Sequence, residues 1–217
     1  MSEPISGIVL AGGKSTRMGK DKTGIRLESG LTMVEQAADH LAEVACEVIV
    51  VTAGALWDIP RVCWASDLHQ GAGPLGGIYA GLRACSCGHA IVVACDMPFI
   101  NVDLLRYMAG LPRDYDVLLP ALSRGVEPLH AIYGKACIGP ALALLDTGRH
   151  SILDLYGLVR TKYLEEDEIA KFDPEELSFF NINTPDQLRQ ARNMSRRILE
   201  RRERGVGVGE VGRHSAR

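Results

Sequence analysis

Residues 5–22 read I-S-G-I-V-L-A-G-G-K-S-T-R-M-G-K-D-K, and the fold is decided there. Ile5 to Ala11 is an apolar run of strand length without polar alternation, which marks a strand buried on both faces. It passes directly into Gly12 and Gly13, then into Lys14, Arg17, Lys20 and Lys22. A buried strand opening into a glycine-rich, cationic loop belongs to an open α/β sheet, where ligands bind at the carboxyl ends of strands. The same alternation continues along the chain. Leu31, Val34, Ala38, Leu41 and Ala45 recur at helical spacing, and V-I-V-V follows at 48–51. Arg61 to Ala65 reads as a short strand, Pro74 opens a helix to about Ala84, and Ala90 to Cys95 is a second fully buried strand. Asn101 caps a helix to Ala109, and Asp116 to Pro120 and Leu129 to Tyr133 read as strands. Residues 135–147 and 151–158 are expected to be helical and 160–164 extended. Phe179 to Ile182 reads as a late strand, and Thr184 caps a last helix with Pro185 at its first position. This order predicts an α/β fold of three layers, a mostly parallel central sheet with helices on both faces.

The 217 residues are 47% apolar and 24% charged with a net charge of −3, which excludes intrinsic disorder for most of the chain. No apolar run reaches the roughly 18 residues of a membrane span. The opening Met-Ser-Glu-Pro lacks the basic and apolar regions of a signal peptide, so a cytoplasmic protein is expected. The six cysteines show no paired C-x-x-C spacing and are expected to be reduced. With no internal repeat and no linker, one domain is expected over 1–194, followed by a basic, disordered tail at 195–217. That tail holds seven Arg and three Glu, a net +4, so the body carries −7. An acidic body argues against a nucleic-acid partner, and nothing points to a membrane.

Chemistry gathers at three strand ends. In the first, Gly12 and Gly13 allow close backbone approach, and four cations follow within nine residues, the composition of a triphosphate site. The Walker pattern does not fit, because Gly13 and Gly19 are six apart and Lys20 precedes Asp21. The second is C-D-M-P-F at 95–99, where Asp96 stands at the end of a buried strand, placed to hold Mg²⁺ on phosphate oxygens. Between them, Gly71, Gly73 and Gly76 spell G-x-G-x-x-G, with Asp96 twenty residues further on. That is a dinucleotide fingerprint, but Ser66 to Gln70 separate it from the strand, and it has no use for the cationic loop. The other reading is the wall of a nucleotide pocket, with Asp67 accepting from base or sugar donors.

Taken together, L-A-G-G-K-S-T-R-M-G-K-D-K (10–22), G-P-L-G-G-I (73–78), C-D-M-P-F (95–99), E-P-L-H-A-I-Y (127–133) and F-N-I-N-T-P-D-Q-L (180–188) resemble the molybdenum cofactor guanylyltransferases, within the nucleotidyltransferases of Rossmann-like fold. The resemblance spans about residues 5–192. It implies transfer of GMP from GTP to molybdopterin-bound molybdenum, with release of pyrophosphate and dependence on Mg²⁺. It implies nucleotide contacts from Leu10, Ala11, Gly12, Gly13, Lys22, Asp67 and Asp96, with Asp96 also the metal ligand. Asn181 and Asn183 match paired asparagines near the pterin side. The protein partners implied are acceptor molybdoenzymes or their chaperones. Cytidylyl-transferring relatives resemble L-A-A-G at the first motif, so Gly13 favours the larger purine.

The attacking group would be the phosphate of the pterin, already ionised near neutral pH, so charge neutralisation matters more than a protein base. Arg17 and Lys22 are expected to stabilise the developing charge, with Asp96 holding the metal. His130 is open between packing and substrate contact, and Glu127 between the acceptor pocket and an ordinary strand-end role. A nucleotidyltransferase using CTP or a sugar phosphate shares these features, as does a GTP-binding regulator without turnover.

Overall fold

The computed structural model describes residues 3–12, 25–26, 30–54, 59–67, 69 and 71–203. Gly13, Arg17 and Lys22 lie outside these described residues. The elements in chain order are β1 (Ser6–Leu10), α1 (Met33–Ala42), β2 (Glu47–Thr52), β3 (Val62–Ser66), α2 (Gly73–Ala84), β4 (His89–Ala94), α3 (Val102–Gly110), β5 (Val117–Leu122), β6 (Gly125–Val126), β7 (His130–Gly134), α4 (Ile138–Asp146), α5 (Leu153–Tyr156), β8 (Thr161–Leu164), α6 (Glu166–Ile169) and α7 (Pro185–Glu203). They form one sheet in the order β3-β2-β1-β4-β7-β5-β6, with β8 also paired to β5. Strands β1 to β4 are mutually parallel, β7 is antiparallel to β4 and β5, and β8 is parallel to β5. Only β6 and β7 therefore run against the rest, as the mostly parallel reading requires.

Every residue of β1 is buried, and successive side chains feed opposite cores. Val9 joins Val93, Leu104 and Met108 on one side, while Ile8 and Leu10 join Leu75, Ile78 and Leu82 on the other. Helix α2 lies close against β1, because a Cβ on Gly81 would stand 2.7 Å from Ile8 Cγ2. The helix starts are fixed by side chains. Thr32 and Glu35 form a reciprocal capping box at α1. Asn101 Oδ1 accepts from the backbone N–H groups of Asp103 and Leu104 at α3. Thr184 Oγ1 accepts from the Gln187 N–H at α7, as its sequence position indicates.

One expectation is corrected. Phe179 to Ile182 is not a strand; a 3₁₀ turn at Leu177–Phe179 leads into irregular chain. Both edges of β4 are occupied, by β1 and β7, so no ladder is left for a late strand. A single backbone bond remains, from Ile182 N–H to Asp96 C=O at 2.9 Å, beyond the end of β4. Helix α7 runs on past residue 194 to Glu203. Residues 204–217 lie outside the described residues.

Candidate active site

The strand order reverses between β1 and β4: β2 and β3 lie to one side of β1, and β4 lies to the other. The carboxyl ends at such a switch point form the natural crevice of an open sheet. Here four parallel strands end almost level. Ala11 N–H donates to Val51 C=O at 2.8 Å, Cys95 N–H to Leu10 C=O at 3.1 Å, and Asp67 N–H to Thr52 C=O at 3.1 Å. Asp67, Gly12 and Asp96 thus stand level just past the ends of β3, β1 and β4, one residue beyond Thr52 at the end of β2. The two aspartates follow the outer strands of this group of four, whose axes lie three strand spacings or roughly 14 Å apart. That spacing suits an extended ligand touched at two places.

Leu10 and Ala11 are buried, so what they offer a ligand is backbone. Gly12 is exposed, and a Cβ placed on it would meet nothing within 4 Å. Its φ is not in the left-handed region either. Among the described residues nothing in the fold demands glycine here, and the space stands open at the switch point. The glycines of α2 serve a different end. A Cβ on Gly76 would come within 3.1 Å of Asp67 Oδ1, and one on Gly77 within 3.1 Å of Leu10 Cδ2. Gly76, the last glycine of the G-x-G-x-x-G run, therefore lets the Asp67 carboxylate sit against the helix, while Gly77 and Gly81, outside that run, let α2 pack on β1. Asp67 is half-buried, and its Oδ1 accepts from the His69 N–H at 3.0 Å, which fixes the carboxylate in an Asx turn. Thr52 is buried, with Oγ1 accepting from the Gly54 N–H at 3.0 Å.

Asp96 is half-buried in a tight turn closed by Met97 N–H on Ala94 C=O at 3.3 Å. Gln36 of α1 steadies the next turn, its Nε2 donating to Pro98 C=O at 2.7 Å. A buried network holds the segment that returns beside Asp96. Asp173 accepts from Leu177 N–H and Ser178 N–H, Ser178 Oγ accepts from Asn101 N–H, and Asn101 Nδ2 donates to Phe172 C=O. Asp173 and Ser178 are positioning residues that the sequence reading missed. Their only local signal is Asp173 before Pro174, an ordinary turn pair. The network delivers Ile182 to the Asp96 carbonyl and so brings Asn181 and Asn183 to this end of the sheet. Asn181 is half-buried, with Nδ2 donating to Phe179 C=O at 3.3 Å, and Asn183 is exposed.

Two open assignments resolve toward packing. Arg124 donates to Glu127 through Nε and Nη2, and also pairs with Glu176, so Glu127 anchors the β5–β6 turn. Burial raises the Glu127 carboxyl pKa, and the guanidinium partly offsets that. His130 is fully buried against Phe179, ring centroids 5.0 Å apart, and among the described residues neither ring nitrogen has a hydrogen-bond partner. Burial drives its imidazole down to about 4, so the ring is neutral at physiological pH.

The chain is similar to proteins of known family. The family model of the MobA-like NTP transferase domain matches residues 7–162. The chain is 40% identical over 194 residues to the probable molybdenum cofactor guanylyltransferase of Pelotomaculum thermopropionicum, covering 88% of this chain and 93% of that one. It is 34% identical over 192 residues to the molybdenum cofactor guanylyltransferase of Desulfosudis oleivorans, covering 87% and 95%. The solved structure of molybdopterin-guanine dinucleotide biosynthesis protein A from Archaeoglobus fulgidus superimposes with a TM-score of 0.79 at 30% identity, over 89% of this chain and all of that one. The chain belongs to the MobA-like NTP transferase family, among its molybdenum cofactor guanylyltransferases.

Proposed function

We propose that this protein transfers GMP from GTP to the molybdenum cofactor, producing the guanine dinucleotide form and pyrophosphate. One observation carries the reading: Asp67 and Asp96 stand at opposite ends of a four-strand row, with the open Gly12 backbone between them. The base and ribose lie toward Asp67, the phosphates pass over Leu10 to Gly12 and continue onto the cationic loop, and the α-phosphate meets Asp96. The names carried by the relatives supply the acceptor. The pterin phosphate attacks the α-phosphorus in line; an O–P bond forms as the bond to the bridging oxygen breaks, and pyrophosphate leaves. Arg17 and Lys22 neutralise charge that grows in the transition state, and Gly13 leaves room for a purine. Asn181 and Asn183 orient the pterin, for which uncharged amides are suited.

Asp96 fits Mg²⁺ as a single hard oxygen ligand. Among the described residues the one trio of converging metal-ligating side chains lies elsewhere. Mg²⁺ is commonly held by one or two carboxylates with substrate phosphates and water completing the shell, a role open to an aspartate at a strand end. When bound, the ion would neutralise the phosphate oxygens at the reacting centre. The catalytic unit is residues 1–194. The six thiols, all free, suit a reducing compartment such as the cytoplasm. Among the described residues no helix is long and apolar enough to cross a membrane. Acceptor molybdoenzymes or their chaperones would take up the product.

Pyrophosphate release with molybdenum cofactor and each of the four nucleoside triphosphates tests the reading. Release is expected with GTP and Mg²⁺ alone among the four. Equal release from CTP would overturn the purine assignment, and none from any nucleotide would leave a binding protein without turnover.

A further inference from the structure

At the amino ends of the same strands, far from the row of carboxylates, a second group of side chains converges. Cys46 leads into β2 and Cys87 into β4, and their Sγ atoms lie 3.0 Å apart across the start of β1. The ligand atoms of Cys46, Glu47 and Cys87 all lie within 4.8 Å of one another, and among the described residues no other metal-ligating trio does so. The carboxylate is held firmly. Glu47 Oε1 accepts from Ser6 Oγ at 2.6 Å, Ser86 N–H at 2.6 Å and Ser86 Oγ at 2.7 Å. Hydrogen bonds of this kind orient a metal-ligating carboxylate and fix which oxygen is presented. Cys85, the neighbouring thiol, turns away and donates to Leu82 C=O at 3.3 Å. Cys46 is exposed, and a cleft of about 460 Å³ lined by Pro4, Glu43, Cys46 and Arg106 opens beside it. An ion therefore has a way in.

We propose that Cys46, Glu47 and Cys87 form a binding site for a divalent ion of the zinc class, with water as fourth ligand. Two thiolates and a carboxylate are the donors such an ion takes, whereas Mg²⁺ prefers oxygen alone. A tetrahedral Zn²⁺ with Zn–S of about 2.3 Å holds two sulfurs about 3.8 Å apart, so the pair need open only slightly. Binding the ion joins the 85–88 loop to the start of β2 and stiffens the amino edge of the sheet.

The full chain, reduced, stripped with chelator and dialysed against Zn²⁺, is expected to retain about one equivalent of metal. Co²⁺ in its place should give thiolate-to-metal charge-transfer absorption. Cys87→Ser and Cys46→Ser should lose both signals, while Cys63→Ser, an exposed cysteine elsewhere, should keep them. In the intact chain Zn²⁺ should also protect Cys46 from a thiol reagent and raise the unfolding temperature, readouts independent of any variant folding. No retained zinc and no cobalt–thiolate band in the intact chain would overturn the site. Recovery of the pair as a disulfide from protein exposed to Zn²⁺ under air would overturn it equally.

Discussion

The two ends of one sheet are built on opposite plans. At the carboxyl ends of β3, β2, β1 and β4, Asp67, Gly12 and Asp96 are spread across strands whose axes span roughly 14 Å. At the amino ends, Ser6, Cys46, Glu47, Ser86 and Cys87 close on one another within hydrogen-bonding reach. A spread row matches an extended ligand whose charge is distributed, as in a nucleoside triphosphate. A closed cluster matches a point charge. Parallel strands make this division possible, since one end gathers all the outgoing turns and the other all the incoming ones.

The sharpest way to break the comparison is Asp96→Ala. The side chain is half-buried at a turn and outside the core, so the unfolding midpoint should change little. Loss of the metal and phosphate anchor should slow GMP transfer by about a thousandfold or more, equivalent to several kcal/mol. Activity within tenfold of the intact protein would move the anchor elsewhere.

A second test concerns the buried support beneath the row. His130 titrates near 4 when folded and near 6.5 when unfolded, so between these values the unfolded chain binds more protons. Stability should therefore fall as pH drops from about 6.5 to about 4, by about 3 kcal/mol from this group, and no further below that. His130→Leu should flatten that part of the pH profile in chemical denaturation. An unchanged slope would show that the ring finds a partner.

Two glycine substitutions separate fold from ligand. In Gly81→Ala the new methyl meets Ile8 Cγ2 at 2.7 Å, and a β-branched side chain in a buried strand cannot rotate away. Overpacking of about 1–3 kcal/mol outweighs the helix gain of about 1 kcal/mol, so the protein should be destabilised by about 1 kcal/mol. Gly12→Ala meets no atom, so its stability should stay within about 0.5 kcal/mol while GTP affinity measured by calorimetry falls several-fold. If Gly12→Ala binds GTP unchanged, the ligand does not run over β1.

Much of this architecture was legible because it is local. The unbroken apolar runs at Ile5–Ala11 and Ala90–Cys95 identify buried parallel strands, and Asn101 and Thr184 each cap the helix that follows. Phe179 to Ile182 carries the composition of a strand, but its fate depended on β7 having taken the free edge of β4, which no local pattern records. Asp67 and Asp96 were legible as strand-end carboxylates, whereas the buried Asp173–Ser178–Asn101 network was not. The packing role of Gly77 and Gly81 was not legible, since their neighbours Leu10 and Ile8 lie some 70 residues earlier. Cys46 and Cys87 are 41 residues apart and lack C-x-x-C spacing, so only the sheet brings them together.

The central claim is tested most directly by following the α-phosphate itself. GTP labelled at that position, incubated with the intact protein, Mg²⁺ and molybdenum cofactor, should pass its label into a pterin–guanine dinucleotide with one pyrophosphate released per label transferred. Asp96→Ala should transfer essentially none. Label that stays in GTP, emerges as free GMP, or enters the cofactor equally well from CTP would contradict the account.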